Sequence, residues 1–289
     1  MTITFSPLCP ALGAEIHGLD LKRLDDTDRA TLRRALPEHG VLLARGLDLT
    51  PEDHVALTRV FGEPDIHPIE AIRLEGHPEV IVLAAGRFDQ VRPDDPGAED
   101  LVGQISWHSD LTYTAFPSRG ALLYARTIPP EGGQTGFIDL ANVHDALPDA
   151  LKRRIEGLSV VHSLGPLQQS IHQAASTDYA RDPSTVPDFE PVVHPLVHRH
   201  PETGRRVLDI SPAFAQSIVG LAEEESTELL RELREFATQR RFSYFHPWQV
   251  GDLIVWDNWR TMHVATGHKR RHRRIMHRTT LRGGMALSA

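Results

Sequence analysis

The chain has 289 residues, 40% of them hydrophobic and 24% charged, an ordinary balance for a globular protein with enough length for a large core and long active-site insertions. Its net charge of −8 disfavours nucleic acid as a partner, because that binding rests on Lys and Arg neutralising phosphates. Nothing reads as a membrane span or a secretion signal, and the one cysteine, Cys9, excludes an intramolecular disulfide and a thiolate metal cage and fits a cytoplasmic location.

The first third alternates strand and helix. "GAEIHGLDL" reads as a strand that ends in an acidic turn. "TDRATLRRALPEHG" is an amphipathic helix with Asp26 or Thr27 as its cap and Gly40 as its stop. "VLLARG" is a buried strand. "TPEDHVALTRVFG" is a second helix, capped by Thr50, with Pro51 at its first position and Gly62 past its end. "EVIVLAA" is a strand, and the polar, proline-bearing stretch near 86–103 is a loop or lid. Strands then dominate: "QISWHSD", "SRGALLYART" and "QTGFIDL", separated by turn signals such as "PPEGG". "LANVHDALPDALKRRIEGL" is helical, with Pro148 starting a second helix, and "SVVHSL" is a strand. A second lid is expected near 164–190. "VVHPLVHRH" and "RRVLDIS" form a hairpin around "PETG", and "AEEESTELLRELREFATQ" is a periodic helix. The chain closes on four strands: "RRFSYFHPW", "GDLIVWDN", "RTMHVA" and "RRIMHRTTLRGG". Many strands and a few helices around one core predict a mainly β protein with flanking helices, a jelly-roll double sheet in a single domain over 1–289. No G-x-G-x-x-G or Walker loop supports a doubly wound alternative.

Within "WHSDLTY", His108 and Asp110 stand two apart, so on a strand they would point the same way. A metal ion, a buried His–Asp hydrogen bond and a wet surface strand all account for that pair. A single histidine decides little in a chain with 17 of them. His263 follows on a late strand. Two histidines and one aspartate in this order are the ligand set of the two-His-one-carboxylate triad, which holds iron on one face and leaves positions open. Near the end, Arg274, Met276 and Arg278 would share one strand face. If that face looks into a barrel, both guanidiniums require anions. A solvated basic edge strand is the other reading, favoured in part by "HKRRHRR".

"WHSD", "PPEGGQTGFID", "GDLIVWDN", "TMH" and "RRIMHRTTL" resemble the motifs of the taurine dioxygenase/TfdA family of iron(II)- and 2-oxoglutarate-dependent dioxygenases, from "LGAEIHGLDL" to "RRIMHRTTL". The resemblance implies a double-stranded β-helix with His108, Asp110 and His263 as ligands of Fe(II). It implies that Thr135 and Arg274 hold the distal carboxylate of 2-oxoglutarate, and that O2 is the oxidant. It also implies that His67 and Arg278 contact an anionic group of the substrate. Glu70 stands where taurine dioxygenase carries a tyrosine, and Gln104 where an asparagine reaches the taurine amine. Both departures put taurine itself in doubt.

The expected activity is oxidation of a C–H bond in a small substrate, a carboxylate, sulfonate or sulfate ester, with release of succinate and CO2. The same chemistry on a neutral or cationic natural-product intermediate, with Glu70 neutralising Arg278, is the alternative. A non-catalytic jelly-roll binding protein is the reading from another class. A homo-oligomer is expected from the resemblance.

Overall fold

The computed structural model describes residues 2–67, 70–84, 101–165 and 189–289. Positions 86–100 and 166–188 of the two expected lids lie outside the described residues. Residues 101–103, at the end of the first expected lid, are in a strand. They open the strand Leu101–His108, because Leu101 and Val102 pair with Lys269 and His268 of the neighbouring strand.

Two sheets face each other. Among the described residues the larger has nine strands, with Val41–Ala44, Leu253–Asp257, Gly120–Thr127, Ile275–Leu281 and His77–Ala84 adjacent in that order. The smaller runs Ser243–His246, Thr135–Asp139, Thr261–Lys269, Leu101–His108. This is the double-stranded β-helix, or jelly roll, that the strand count predicts.

The inner strands read as unbroken apolar runs because both of their faces are covered. Alternate residues go to different cores. Leu42, Leu122 and Val255 pack under Leu32 and Leu36 of the helix Asp26–His39 and Leu57 and Val60 of the helix Pro51–Phe61. Their chain neighbours Leu43, Leu123, Ile254 and Trp256 point the other way, against Phe137 of the small sheet. The small sheet repeats the pattern. Phe137 faces inward, while Ile138 and Met262 face outward into a third core with Leu151 and Ile155 of the helix Asp149–Ile155 and Leu233 of the helix Glu223–Ala237. His263, next to Met262, therefore points between the sheets.

Most helix punctuation follows the sequence. Thr50 and Asp53 form a reciprocal capping box with Pro51 at the first position. Gly40 ends the first helix at φ 74°, a left-handed conformation that favours glycine. The cap at the other end is Asp25, not Asp26 or Thr27: its carboxylate accepts the Asp28 N–H at 2.8 Å. Among the described residues no helix is long and apolar enough to cross a membrane.

Candidate active site

His108 and His263 sit directly opposite each other on adjacent antiparallel strands. Cross-strand partners hold their Cβ atoms about 5 Å apart, so the rings meet, with centroids 4.1 Å apart. The His108 Nδ1 donates to the Ser106 carbonyl at 2.7 Å, which leaves the Nε2 lone pair free. Asp110 completes the group: its Oδ1 is 3.7 Å from His108 Nε2 and its Oδ2 is 3.7 Å from His263 Nε2. One donor atom from each residue lies within 4.8 Å of the others, and all three residues are buried.

Asp110 does not reach this point by strand alternation. The strand ends at His108, and Asp110 stands in the turn that follows, with Leu111 at φ 57°. The chain leaves the sheet because its N–H groups bond to side chains instead of a strand. Ser109 N–H donates to Ser211 Oγ at 3.1 Å and Asp110 N–H to Asn258 Oδ1 at 2.7 Å. The expectation of a shared strand face thus pairs the right residues through the wrong geometry.

The electrostatics suit a cation. Burial alone would raise the Asp110 carboxyl, but Arg278, His263 and His108 outweigh it and hold the group at about 2. Burial pushes both histidines below their ordinary value, and for His263 the neighbouring His108 adds to it. Two neutral imidazoles and one carboxylate, with no thiolate, match the donor preference of iron(II). Among the described residues the buried His263 Nδ1 has no hydrogen-bond partner.

A cavity of about 90 Å³ opens beside the three donors, lined by His108, His263, Thr135, Trp256, Arg274 and Arg278 among others. Arg278 of the strand Ile275–Leu281 and Arg274 just ahead of it line one cavity, with Met276 between them in the inter-sheet core. Arg274 Nε donates to the Gly133 carbonyl at 3.1 Å. Gly133, at φ 68°, lets the guanidinium pass close by: a Cβ there would stand 3.0 Å from Arg274 Cδ. Among the described residues no carboxylate lies within ion-pair distance of Arg274, and burial pulls its pKa down to about 10. Arg278 Nη2 donates to Asp110 Oδ2 at 2.6 Å, and its guanidinium carbon lies 5.3 Å from the centre of the Trp256 ring.

None of the remaining expected contacts is among the residues that line this cavity. His67 is half-buried, and its carbonyl accepts Arg73 Nε at 2.7 Å. Glu70 is exposed in the short turn Glu70–Ile72. Arg278 pairs with Asp110, not with Glu70. Gln104 turns to the neighbouring strand, with Nε2 3.4 Å from the Thr266 carbonyl and its side chain packed over Gly267. A bulge explains this. Going from His263 to Ala265 takes two steps, while their partners His108 and Ile105 are three apart. The extra residue reverses the alternation, so Ile105 and Gly103, not Gln104, share the cavity with His108.

Two supporting residues escape sequence reasoning. Asn258 bonds both backbone groups of Asp110. Trp248 Nε1 donates to Thr135 Oγ1 at 3.0 Å. Asn258 carries a faint signal, an amide ending the apolar run "LIVW", whereas nothing in "FHPW" points to Thr135.

A jelly roll with two histidines and one aspartate converging between its sheets defines the class of non-haem iron oxygenases. The model of the family described as "Taurine catabolism dioxygenase TauD, TfdA family" matches residues 4–280. The (S)-phenoxypropionate/alpha-ketoglutarate-dioxygenase of Sphingobium herbicidovorans is 35% identical over 97% of this chain and 95% of that one. The alpha-ketoglutarate-dependent 2,4-dichlorophenoxyacetate dioxygenase of Cupriavidus pinatubonensis is 33% identical over 97% and 98%. The crystal structure of a taurine dioxygenase from Burkholderia xenovorans superposes with a TM-score of 0.80 at 36% identity, over 98% of this chain and 90% of that one. The chain belongs to the TauD/TfdA family. It is a 2-oxoglutarate-dependent dioxygenase, an enzyme type that uses Fe(II), 2-oxoglutarate and O2 and acts on small molecules.

Proposed function

We propose that this dioxygenase oxidises a C–H bond of a small anionic substrate, a carboxylate, sulfonate or sulfate ester, and releases succinate and CO2. His108, Asp110 and His263 hold Fe(II), which supplies the oxidising chemistry with O2. Arg274 and Thr135 bind the distal carboxylate of 2-oxoglutarate. Arg278 takes the substrate anion, and His67, in the loop that Arg73 fastens outside the cavity lining, is its second proposed contact.

The observation that carries this reading is the pair of arginines in one cavity with one carboxylate. Buried charges need partners. A divalent cation and two guanidiniums exceed the charge of Asp110 by three. The two carboxylates of 2-oxoglutarate offset two of these, and a monoanionic substrate offsets the last. The apolar wall of Leu83, Ile105, Leu123 and Trp256 suits the carbon body of such an acid. Phenoxypropionate and dichlorophenoxyacetate, named for the relatives, are carboxylates.

The test is a competition between an anionic substrate and its methyl ester. Arg278→Ala is expected to raise KM for the acid far more than for the ester. Equal losses on both, or a parent enzyme that prefers the ester, would overturn the anion clamp and make Glu70 the residue to test. We also place the enzyme in the cytoplasm as a single-domain homo-oligomer, consistent with its lone free cysteine.

A further inference from the structure

Thr135 stands on the inner face of the small sheet, 4% exposed, and lines the same cavity as Arg274. A threonine hydroxyl has one hydrogen to give and two lone pairs to receive with, and it rotates to suit its surroundings. On its own it serves an acid or an amide equally well. Trp248 removes that freedom. Its indole nitrogen is a donor only, and it gives its hydrogen to Thr135 Oγ1 at 3.0 Å. The hydroxyl hydrogen must then point away from Trp248, and among the described residues nothing accepts it.

Trp248 is itself held in place. It is 7% exposed and belongs to the inter-sheet core with Phe137, Trp256 and Met276. His246 meets its ring edge-on, with centroids 4.5 Å apart, and His246 is bonded to Tyr244 and Asp252. The direction of the N–H is therefore set by packing before anything binds.

We propose that Trp248 is a specificity-determining residue that acts through Thr135: it fixes the hydroxyl as a donor, so that this end of the cavity selects a carboxylate over the corresponding amide. Arg274 is also a donor only, and its Nε is committed to the Gly133 carbonyl. With Trp248 on one of its lone pairs, Thr135 turns its hydrogen away from the indole and keeps a single lone pair, while Arg274 offers hydrogens only. A carboxylate accepts from both. An amide brings its own NH2, whose two hydrogens meet the donors of Arg274 and find at most one lone pair on Thr135, so it loses more hydrogen bonding to water than it regains. This inference rests on the reading that Thr135 and Arg274 bind the distal carboxylate of 2-oxoglutarate.

The experiment measures calorimetric binding of 2-oxoglutarate and of its C5 amide, 2-oxoglutaramate, to the Mn(II)-loaded full chain. The proteins are the parent, Trp248→Phe, Thr135→Val and the double variant. Trp248→Phe is expected to weaken 2-oxoglutarate by roughly two- to tenfold, the scale of one neutral hydrogen bond, while the amide changes little, so the acid-to-amide ratio narrows. In the Thr135→Val background, Trp248→Phe should have no further effect. Should Trp248→Phe unfold the protein, replacing Trp248 by 3-benzothienylalanine deletes the N–H at constant ring volume and carries the same expectation. An unchanged acid-to-amide ratio, or an equal loss with and without the Thr135 hydroxyl, would overturn the role of Trp248 and leave Thr135 in place. If Thr135→Val binds 2-oxoglutarate as the parent does, the assignment of Thr135 fails and the proposal falls with it.

Discussion

Asn258 holds Asp110 by both of its backbone groups. Its Oδ1 accepts the Asp110 N–H at 2.7 Å and its Nδ2 donates to the Asp110 carbonyl at 2.9 Å. The same Nδ2 reaches the Ser118 carbonyl at 3.0 Å, so one buried amide ties together both ends of the loop from Asp110 to Ser118. Asn258→Ala leaves those backbone groups buried without partners, at a cost of about 1–3 kcal/mol for each group. It also frees the turn that aims the carboxylate. Loss of such a support typically costs about 10–100-fold in metal affinity, and that is the fall expected in Mn(II) binding. Parent-like Mn(II) affinity in a folded Asn258→Ala protein would show that Asp110 holds its position unaided.

The three proposed ligands make a simpler test. His108→Ala, Asp110→Ala and His263→Ala each remove one of three protein donors, so each is expected to abolish iron-dependent succinate release. Asp110→Ala has a further consequence, because Arg278 then loses its ion-pair partner and the cavity keeps two unmatched guanidiniums. Metal content by mass spectrometry separates lost binding from lost turnover. A variant that retains most of its activity removes that residue from the triad.

The sequence carried the layers well and the bends poorly. Runs such as "VLLA" and "LIVW" are apolar at every position because cores lie on both sides, and that is visible without any partner in view. The turn at Asp110 depends on Asn258 and Ser211, more than a hundred positions away in the chain, and no local rule reports them. Gln104 fails for a related reason. A single extra residue opposite His263–Ala265 inverts the phase of the strand, and nothing in "GQISWH" announces a bulge. Arg274 and Arg278 were legible because the strand Ile275–Leu281 keeps step with His77–Ala84 through Met276, and Arg274 stands just ahead of it.

Arg274 is the strongest expected contact to the co-substrate. Hydrogen bonds to a charged group contribute about 1.5–3 kcal/mol each, so Arg274→Ala should weaken 2-oxoglutarate by roughly ten- to a hundredfold or more. Thr135→Val removes one neutral donor and should cost less. Arg274→Lys restores the charge but not the planar fork and should recover only part of the loss. Equal 2-oxoglutarate affinity in Arg274→Ala and the parent would remove the residue from that role.

His54 predicts how the fold responds to acid. It lies in the helix Pro51–Phe61, 1% exposed, with Nε2 3.3 Å from the Thr279 hydroxyl. Burial pushes its pKa from 6.5 down to about 3, and the nearby His277 adds to the shift. The folded protein therefore keeps His54 neutral, while the unfolded chain takes up a proton near 6.5. Between those two values the unfolded state binds more protons, so this group makes stability fall as pH falls, by up to about 1.4 kcal/mol per pH unit. Above 6.5 it contributes no pH dependence. His54→Gln keeps an N–H near Thr279 and removes the titration. Urea midpoints measured at pH 7.5, 5.5 and 4.5 (pH values chosen to span roughly this window) should therefore decline less steeply in His54→Gln than in the parent. The slope does not vanish, because burial lowers His198 and His144 as well. Identical slopes in the two proteins would mean that His54 already carries its proton in the folded state or is hydrated there.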